Sequence, residues 1–174
     1  MVLKIYDLDR TLIWLPVNWD EITDKCLKKY GVTQPYYIPA RQRKDLDFLK
    51  QAELKAVETM EVNDKLVNQI KTDNEKGVKS GIFSNNTHQT VEASVNKLGI
   101  KHAINAISAL EDVENTKPNP EGVFKIMKQL GEQPENTTYY GDLPKDMQAA
   151  NAAGVKFVYV NYFKKIKKSK KHDV

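Results

Sequence analysis

Cysteine is nearly absent from this chain: Cys26 is the only one among 174 residues. That rules out an internal disulfide framework and suits a reducing, cytoplasmic setting. Only three histidines occur, His88, His102 and His172, too scattered to suggest a zinc site. No apolar run is long enough to span a bilayer, and the N-terminus lacks the basic and apolar regions of a secretory signal. Neither a membrane protein nor a secreted one is therefore expected. An excess of basic charge over the folded body is lacking too. Six lysines and one aspartate fall from Lys164 onward; without them the chain's 27 basic and 23 acidic residues become 21 against 22. The net charge of +4 thus belongs to the terminal segment 164–174, read as a solvated, disordered tail. No aromatic residue interrupts that tail after Phe163, so it gives no reason to expect nucleic acid as a partner.

What is present is an alternation of strand-like and helix-like segments. The apolar runs "VLKIYD", "VKSGIFS", "HAINAIS", "NTTYYGD" and "VKFVYV" read as five strands. Between them, "VNDKLVNQIKTDNEKG", "QTVEASVNKLG", "PEGVFKIMKQLG" and "PKDMQAANAAG" carry helical periodicity. Gly77, Gly99, Gly131 and Gly154 stand where helices need a left-handed closing residue. The pattern predicts an α/β fold: a Rossmann-like parallel sheet of about five strands with helices on both faces. One segment breaks the rhythm. After the first strand no strand pattern appears until about Met60, while "NWDEITDKCLKKYG" is helical from an Asn18 cap and "RQRKDLDFLKQAELKAVETM" reads as a second helix. The expected organisation is a core from residues 1–13 and 61–163, with a small helical cap at 14–60 inserted after strand 1.

In an open α/β sheet, ligands bind beyond the carboxyl ends of the strands. Those ends hold an informative set. The first strand stops at Asp7, followed by Asp9 and Thr11; the second ends at Ser84, with Asn85 and Asn86 behind it. Lys117 lies in the loop after the third, and the fourth runs into Asp142, with Asp146 four residues on. Two carboxylates one residue apart raise each other's pKa unless a cation or proton accompanies them. A carboxylate can attack phosphorus if a metal and donors offset the charge of the phosphoryl oxygens. Mg²⁺ takes oxygen ligands and keeps several waters, so Asp7 and Asp142 are a natural pair for it. Ser84 and Lys117 would hold phosphoryl oxygens, and Asp9 could protonate the leaving oxygen and then activate water. Asn85 either donates toward phosphate or supports its loop. A Ca²⁺-binding EF-hand loop is excluded, because Leu12 occupies the position where it needs glycine.

The stretches "YDLDRTL", "IFSNN", "KPNPEGVF" and "YYGDLPKDMQAANAAG" resemble, in order, the four motifs of haloacid dehalogenase (HAD) superfamily phosphatases. The resemblance implies Asp7 as nucleophile and Mg²⁺ ligand, and Asp9 as acid/base with its backbone carbonyl on the metal. It implies phosphate contacts from Ser84 and Lys117, Asp142 as a further metal ligand, Thr11 in support, and Asp146 orienting a metal-bound water. The helical insertion resembles the C1-type cap of the phosphoglycolate phosphatase and β-phosphoglucomutase group. Relatives often have glycine where this chain has Arg10, whose guanidinium is then a candidate substrate contact. Within the cap, Arg41 and Arg43 are either candidates for a second anionic group or solvated charges. The expected function is Mg²⁺-dependent hydrolysis of a small phosphorylated metabolite through an aspartyl-phosphate, by a cytoplasmic protein taken as a monomer. The alternatives are a phosphotransferase or phosphomutase with the same core, and a binding protein that keeps the motifs. A receiver-type signalling domain fits less well, since its phosphorylated aspartate follows the third strand.

Overall fold

The computed structural model describes residues 2–164; the lysine-rich tail beyond Lys164 lies outside the described residues. The chain opens with β1 (Leu3–Tyr6) and a tight turn into β2 (Ile13–Trp14). Helix α1 (Trp19–Tyr30) follows, then 3₁₀ turns at Pro35–Tyr37 and Ala40–Asp45, and α2 (Asp47–Glu58). The chain returns through β3 (Glu61–Val62) and then alternates: α3 (Asp64–Glu75), β4 (Lys79–Phe83), α4 (His88–Lys97), β5 (Ala106–Ser108). It closes with α5 (Glu121–Leu130), β6 (Thr137–Gly141), α6 (Pro144–Ala152) and β7 (Lys156–Tyr159).

Five strands form one parallel sheet in the order β5-β4-β1-β6-β7, as the alternation predicts. β1 is central, and side-chain alternation splits it between two cores. Leu3 and Ile5 join Phe83, Val123, Ile126 and Tyr139 under α5 and α6. Tyr6 faces the other way, with Ile70, Ile82, Val91 and Val95 under α3 and α4. Lys4 shares that side, and its ammonium lies 2.6 Å from Asp73 on α3. Because the order reverses direction at β1, the carboxyl ends of β1, β4 and β6 open into one crevice. The four predicted closing glycines all have positive φ, between 65° and 75°.

Three readings of the segment before Met60 need correction. Ile13–Trp14 is a strand after all, pairing antiparallel with Glu61–Val62. Two residues are too few to leave a period in the sequence, and Val62 accordingly belongs to this ladder rather than to the face of α3. The single helix expected through 41–60 is broken at Leu46, which has φ −91°, ψ 51° and is fully buried. Leu46 packs with Ile22, Cys26, Ile38, Leu49 and Leu110, so the inserted helices share a core with a residue from the turn after β5. Arg43 is not a solvated charge or a free cation. It is buried and donates to the carbonyls of Ile38, Leu110, Val113, Tyr36 and Glu114. A guanidinium has five donors in a fixed fork, and this one spends them on backbone oxygens of the inserted segment and the sheet side alike.

Candidate active site

Asp7, Ser84 and Asp142 directly follow the ends of β1, β4 and β6, Asp146 lies on the first turn of α6, and Lys117 comes from the loop between β5 and α5. The Asp7 amide donates to the Tyr140 carbonyl, so the β1–β6 ladder continues one residue past β1 and fixes the carboxylate at the crevice. The chain then turns tightly, with the amides of Thr11, Leu12 and Ile13 all bonded to the Leu8 carbonyl. Arg10 within that turn has φ 66°, the left-handed region that favours glycine. The Asp9 carboxylate accepts from the Leu15 amide at 2.9 Å, and the Thr11 hydroxyl donates to Asp7 Oδ2 at 3.3 Å.

Lys117 is fully buried at its side chain, and its ammonium sits between two carboxylates. Asp7 Oδ1 is 2.5 Å away and Asp146 Oδ1 is 2.7 Å away. Both oxygens of Asp146 are engaged, since Oδ1 also accepts from the Tyr139 hydroxyl and Oδ2 from the Leu143 amide. What Asp146 holds in this structure is therefore Lys117. Gly141 makes that possible: a Cβ there would lie 2.5 Å from the Cβ of Asp146. Asp142 is the opposite case. It is buried, and neither carboxylate oxygen has a hydrogen-bond partner among the described residues. Asp7, Asp142 and Asp146 each place a carboxylate oxygen within 4.8 Å of the others.

Such crowding shifts protonation. Burial pushes Asp7 above the usual carboxylate range, although Lys117 opposes it. Burial, reinforced by Asp7 and Asp146, raises Asp142 to about 7. Asp9 is raised to about 6 by burial, against the Leu15 hydrogen bond. Burial pulls Lys117 down, but Asp146 and Asp7 outweigh it and hold its pKa well above the ordinary value. Two buried orphan oxygens on Asp142, beside an Asp7 with one weakly engaged oxygen, are what a hard divalent cation with oxygen ligands requires. The residues present fit Mg²⁺.

The phosphate-side residues are less open. The Ser84 hydroxyl donates to Asn86 Oδ1 at 2.8 Å and accepts from the Asn86 amide at 3.1 Å. Asn85 accepts from the Lys117 amide through Oδ1, and its Nδ2 is buried without a partner. Asp7, Asp9, Asn85 and Lys117 line a cavity of about 330 Å³; Ser84 does not reach its wall. Gln34, Glu53 and Lys145 in the wall escaped the sequence reading; Arg10 and Asn86 did not, and Trp19, Tyr36 and Leu49 of the inserted segment share the wall with them.

Glu53 is the most informative of these. It is fully buried on α2, accepting from Asn86 Nδ2 at 2.8 Å, the Thr87 amide at 3.0 Å and the Thr87 hydroxyl at 2.8 Å. A signal was available: Glu53 falls on the buried stripe of Leu49, Ala56 and Val57, a carboxylate at an apolar helical position.

The haloacid dehalogenase-like hydrolase family profile matches residues 36–160. The pyrophosphatase PpaX of Halalkalibacterium halodurans is 32% identical over an alignment spanning 91% of this chain and 82% of that protein. The chain belongs to the haloacid dehalogenase-like hydrolase family. The expectation of a HAD-like phosphoric monoester hydrolase agrees with this membership and with the phosphatase names of its relatives. Other similarities are partial. The phosphoglycolate phosphatase of Salmonella choleraesuis is 33% identical over 51% of this chain, which is 35% of its own length. Among solved structures, a HAD-superfamily hydrolase of subfamily IA from Geobacter sulfurreducens superposes with a TM-score of 0.67 at 19% identity, over 91% of this chain and 89% of that one. A HAD phosphatase from Thermococcus onnurineus gives a TM-score of 0.66 at 17% identity, over 92% and 86%. These two share the fold of this HAD-like hydrolase. No helix among the described residues is long and apolar enough to cross a membrane.

Proposed function

We propose that this HAD-like hydrolase is a Mg²⁺-dependent phosphatase that removes a phosphoryl group from a small substrate through an aspartyl-phosphate on Asp7. The observation that carries this reading is Asp142, buried with both oxygens unpartnered, beside an Asp7 held by Lys117. Asp7, Asp142 and the Asp9 backbone carbonyl would hold Mg²⁺, which offsets the phosphoryl charge and keeps Asp7 ionised. Asp7 then attacks phosphorus: a carboxylate oxygen–phosphorus bond forms as the bond to the leaving oxygen breaks. Asp9, with its pKa raised to about 6, is protonated in a minor fraction of molecules near neutrality, and in that form it gives its proton to the leaving oxygen. Asp9 next takes a proton from the water that attacks the phosphoryl group, and Asp7 is released. Lys117 and Asn85 Nδ2 hold phosphoryl oxygens, while Ser84 joins them by exchanging its bond to Asn86 for one to phosphate. The helices between β2 and β3 act as a cap whose Trp19, Tyr36 and Leu49 roof the cavity. Cytoplasmic location and a monomeric state complete the reading.

The test is hydrolysis of an aryl phosphate by purified protein in Mg²⁺ and in EDTA. Release of phosphate that needs Mg²⁺ and disappears in Asp7→Asn supports the mechanism. Turnover that survives either change sinks it. Transfer to a sugar-phosphate acceptor in place of water would identify the phosphotransferase alternative.

A further inference from the structure

The cavity wall carries three cations, Arg10, Lys117 and Lys145, and three carboxylates, Asp7, Asp9 and Glu53. Lys117 is clasped by Asp7 and Asp146, which leaves one of its three donors for the phosphoryl group. Lys145 is not so held. It stands on the first turn of α6, half-buried, and lines the cavity with Asp7, Asp9 and Asn85. Among the described residues it forms no salt bridge; its ammonium instead rests 4.9 Å from the centre of the Tyr36 ring. A cation–π contact fixes where an ammonium sits while leaving its N–H donors available. Here the ring belongs to the inserted helical segment and the lysine to the sheet side, so the charge is held at the junction of the two. Arg10 is placed in the same manner, with its guanidinium 5.1 Å from the Trp14 ring, and it too lines the cavity. Asp7, Asp142 and Asp146 attract Lys145, and Asp9 and Asp142 attract Arg10, but among the described residues none of these pairs closes to a salt bridge. Glu53 is committed to Asn86 and Thr87, and Asp7 to Lys117. A volume of about 330 Å³ stands at the small end of ligand sites, which favours a compact molecule over a nucleotide or a polymer.

We propose that Lys145 binds a second anionic group, a carboxylate or a phosphoryl, on the same small substrate whose phosphoryl group Asp7 attacks. This rests on the reading of Asp7 and Lys117 as a phosphoryl site, and it assigns the substrate class as doubly anionic. Lys145 is a specificity-determining residue: it selects among phosphorylated molecules by what they carry besides the reacting phosphoryl. Arg43, the cation that the sequence offered for this task, is consumed by five carbonyls, and Arg41 is exposed and absent from the cavity wall.

The test is equilibrium binding, which does not depend on turnover. Calorimetry in Mg²⁺ compares three phosphonates: methylphosphonate, phosphonoacetate with an added carboxylate, and methylenediphosphonate with an added phosphoryl. Wild-type protein should bind at least one of the doubly anionic ligands about tenfold more tightly than methylphosphonate, and which one it favours identifies the second group. In Lys145→Met that advantage should shrink to within about threefold, while Lys145→Arg keeps most of it. Thermal melts of both variants check that the half-buried position leaves the fold intact. Equal affinity for all three ligands in the wild type would overturn the proposal, as would an equal loss for all three in Lys145→Met. Methylphosphonate binding without preference defeats this inference alone, whereas failure of every phosphonate to bind defeats the phosphoryl-site reading as well.

Discussion

Lys117→Met removes the buried ammonium at nearly constant side-chain volume and leaves its two carboxylates without a cation. Asp7, Asp142 and Asp146 then face one another with ligand oxygens no more than 4.8 Å apart. At an effective dielectric of about 20, each ionised pair at that separation repels by about 3 kcal/mol. The protein avoids the full penalty by protonating one or more of the three, so the net cost in metal-free buffer should be about 3–5 kcal/mol, the range for breaking a buried ion pair. That is about a fifth or more of the roughly 5–15 kcal/mol that holds a domain together. Urea unfolding in EDTA, followed by circular dichroism, measures it. The pH dependence supplies a second check. Carboxyl pKa values raised above the unfolded value mean that the native state holds more protons, so stability falls as pH rises through the raised values and recovers on acidification. Lys117→Met should therefore lose most near pH 7.5 and much less near pH 5.5, relative to wild type, and Mg²⁺ should restore part of the loss by replacing the missing charge. A loss below about 1 kcal/mol at the higher pH, or one that grows on acidification, would refute the electrostatic reasoning.

Three further outcomes follow from the same geometry. Because Asp142 is raised to about 7 in the metal-free site, protons compete with Mg²⁺ there; calorimetric affinity should weaken by up to about tenfold per pH unit below that value and level off above it. Gly141→Ala places a Cβ 2.5 Å from that of Asp146, so it should displace Asp146 and with it Lys117, lowering kcat on an aryl phosphate by at least about tenfold while the far-UV spectrum stays native. Glu53→Ala strands Asn86 Nδ2 and the Thr87 amide, both buried, and should cost about 2–4 kcal/mol in urea unfolding; an effect within experimental error would show that water replaces the carboxylate without penalty.

The sheet was legible because its strands are apolar runs separated by periodic helices that close on glycine, a pattern written over many residues. The crevice was legible for a related reason: Asp7, Ser84 and Asp142 follow strand ends directly, and topology converts that position into convergence. Lys117 and Asp146 were found too, but their mutual contact was not, since nothing local in the sequence links two residues 29 positions apart. The inserted segment resisted because its structure rests on contacts outside itself. The break at Leu46 is set by burial against Leu110, and the role of Arg43 by carbonyls near Val113, about 70 residues downstream. Two-residue strands such as Ile13–Trp14 leave no period to read. Glu53 was visible as an anomaly, a carboxylate in an apolar stripe, though its partners were not.

Those same contacts bear on how the proposed cap and the crevice work together. Glu53 grips Asn86 and Thr87, and Asn86 in turn accepts the Ser84 hydroxyl, so a continuous hydrogen-bonded path runs from α2 to the residue proposed to meet phosphate. Arg43 fastens the segment between α1 and α2 to the turn after β5 at three carbonyls, those of Leu110, Val113 and Glu114. Swinging the inserted helices away as a rigid lid about residues 15–18, which follow β2, would have to break both attachments and expose the apolar cluster around Leu46. Buried donors and acceptors without partners cost about 1–3 kcal/mol each, so full opening is far more expensive than local movement of the Pro35–Tyr37 turn at the cavity mouth. The expectation is that hydrogen exchange at the amides of α2 stays slow with or without a phosphonate, while those around Tyr36, which meets Lys145 across the cavity, slow on binding. Fast exchange along α2 in the free protein would mean that the Glu53 and Arg43 attachments do not hold the cap, and that the crevice is assembled only when substrate arrives.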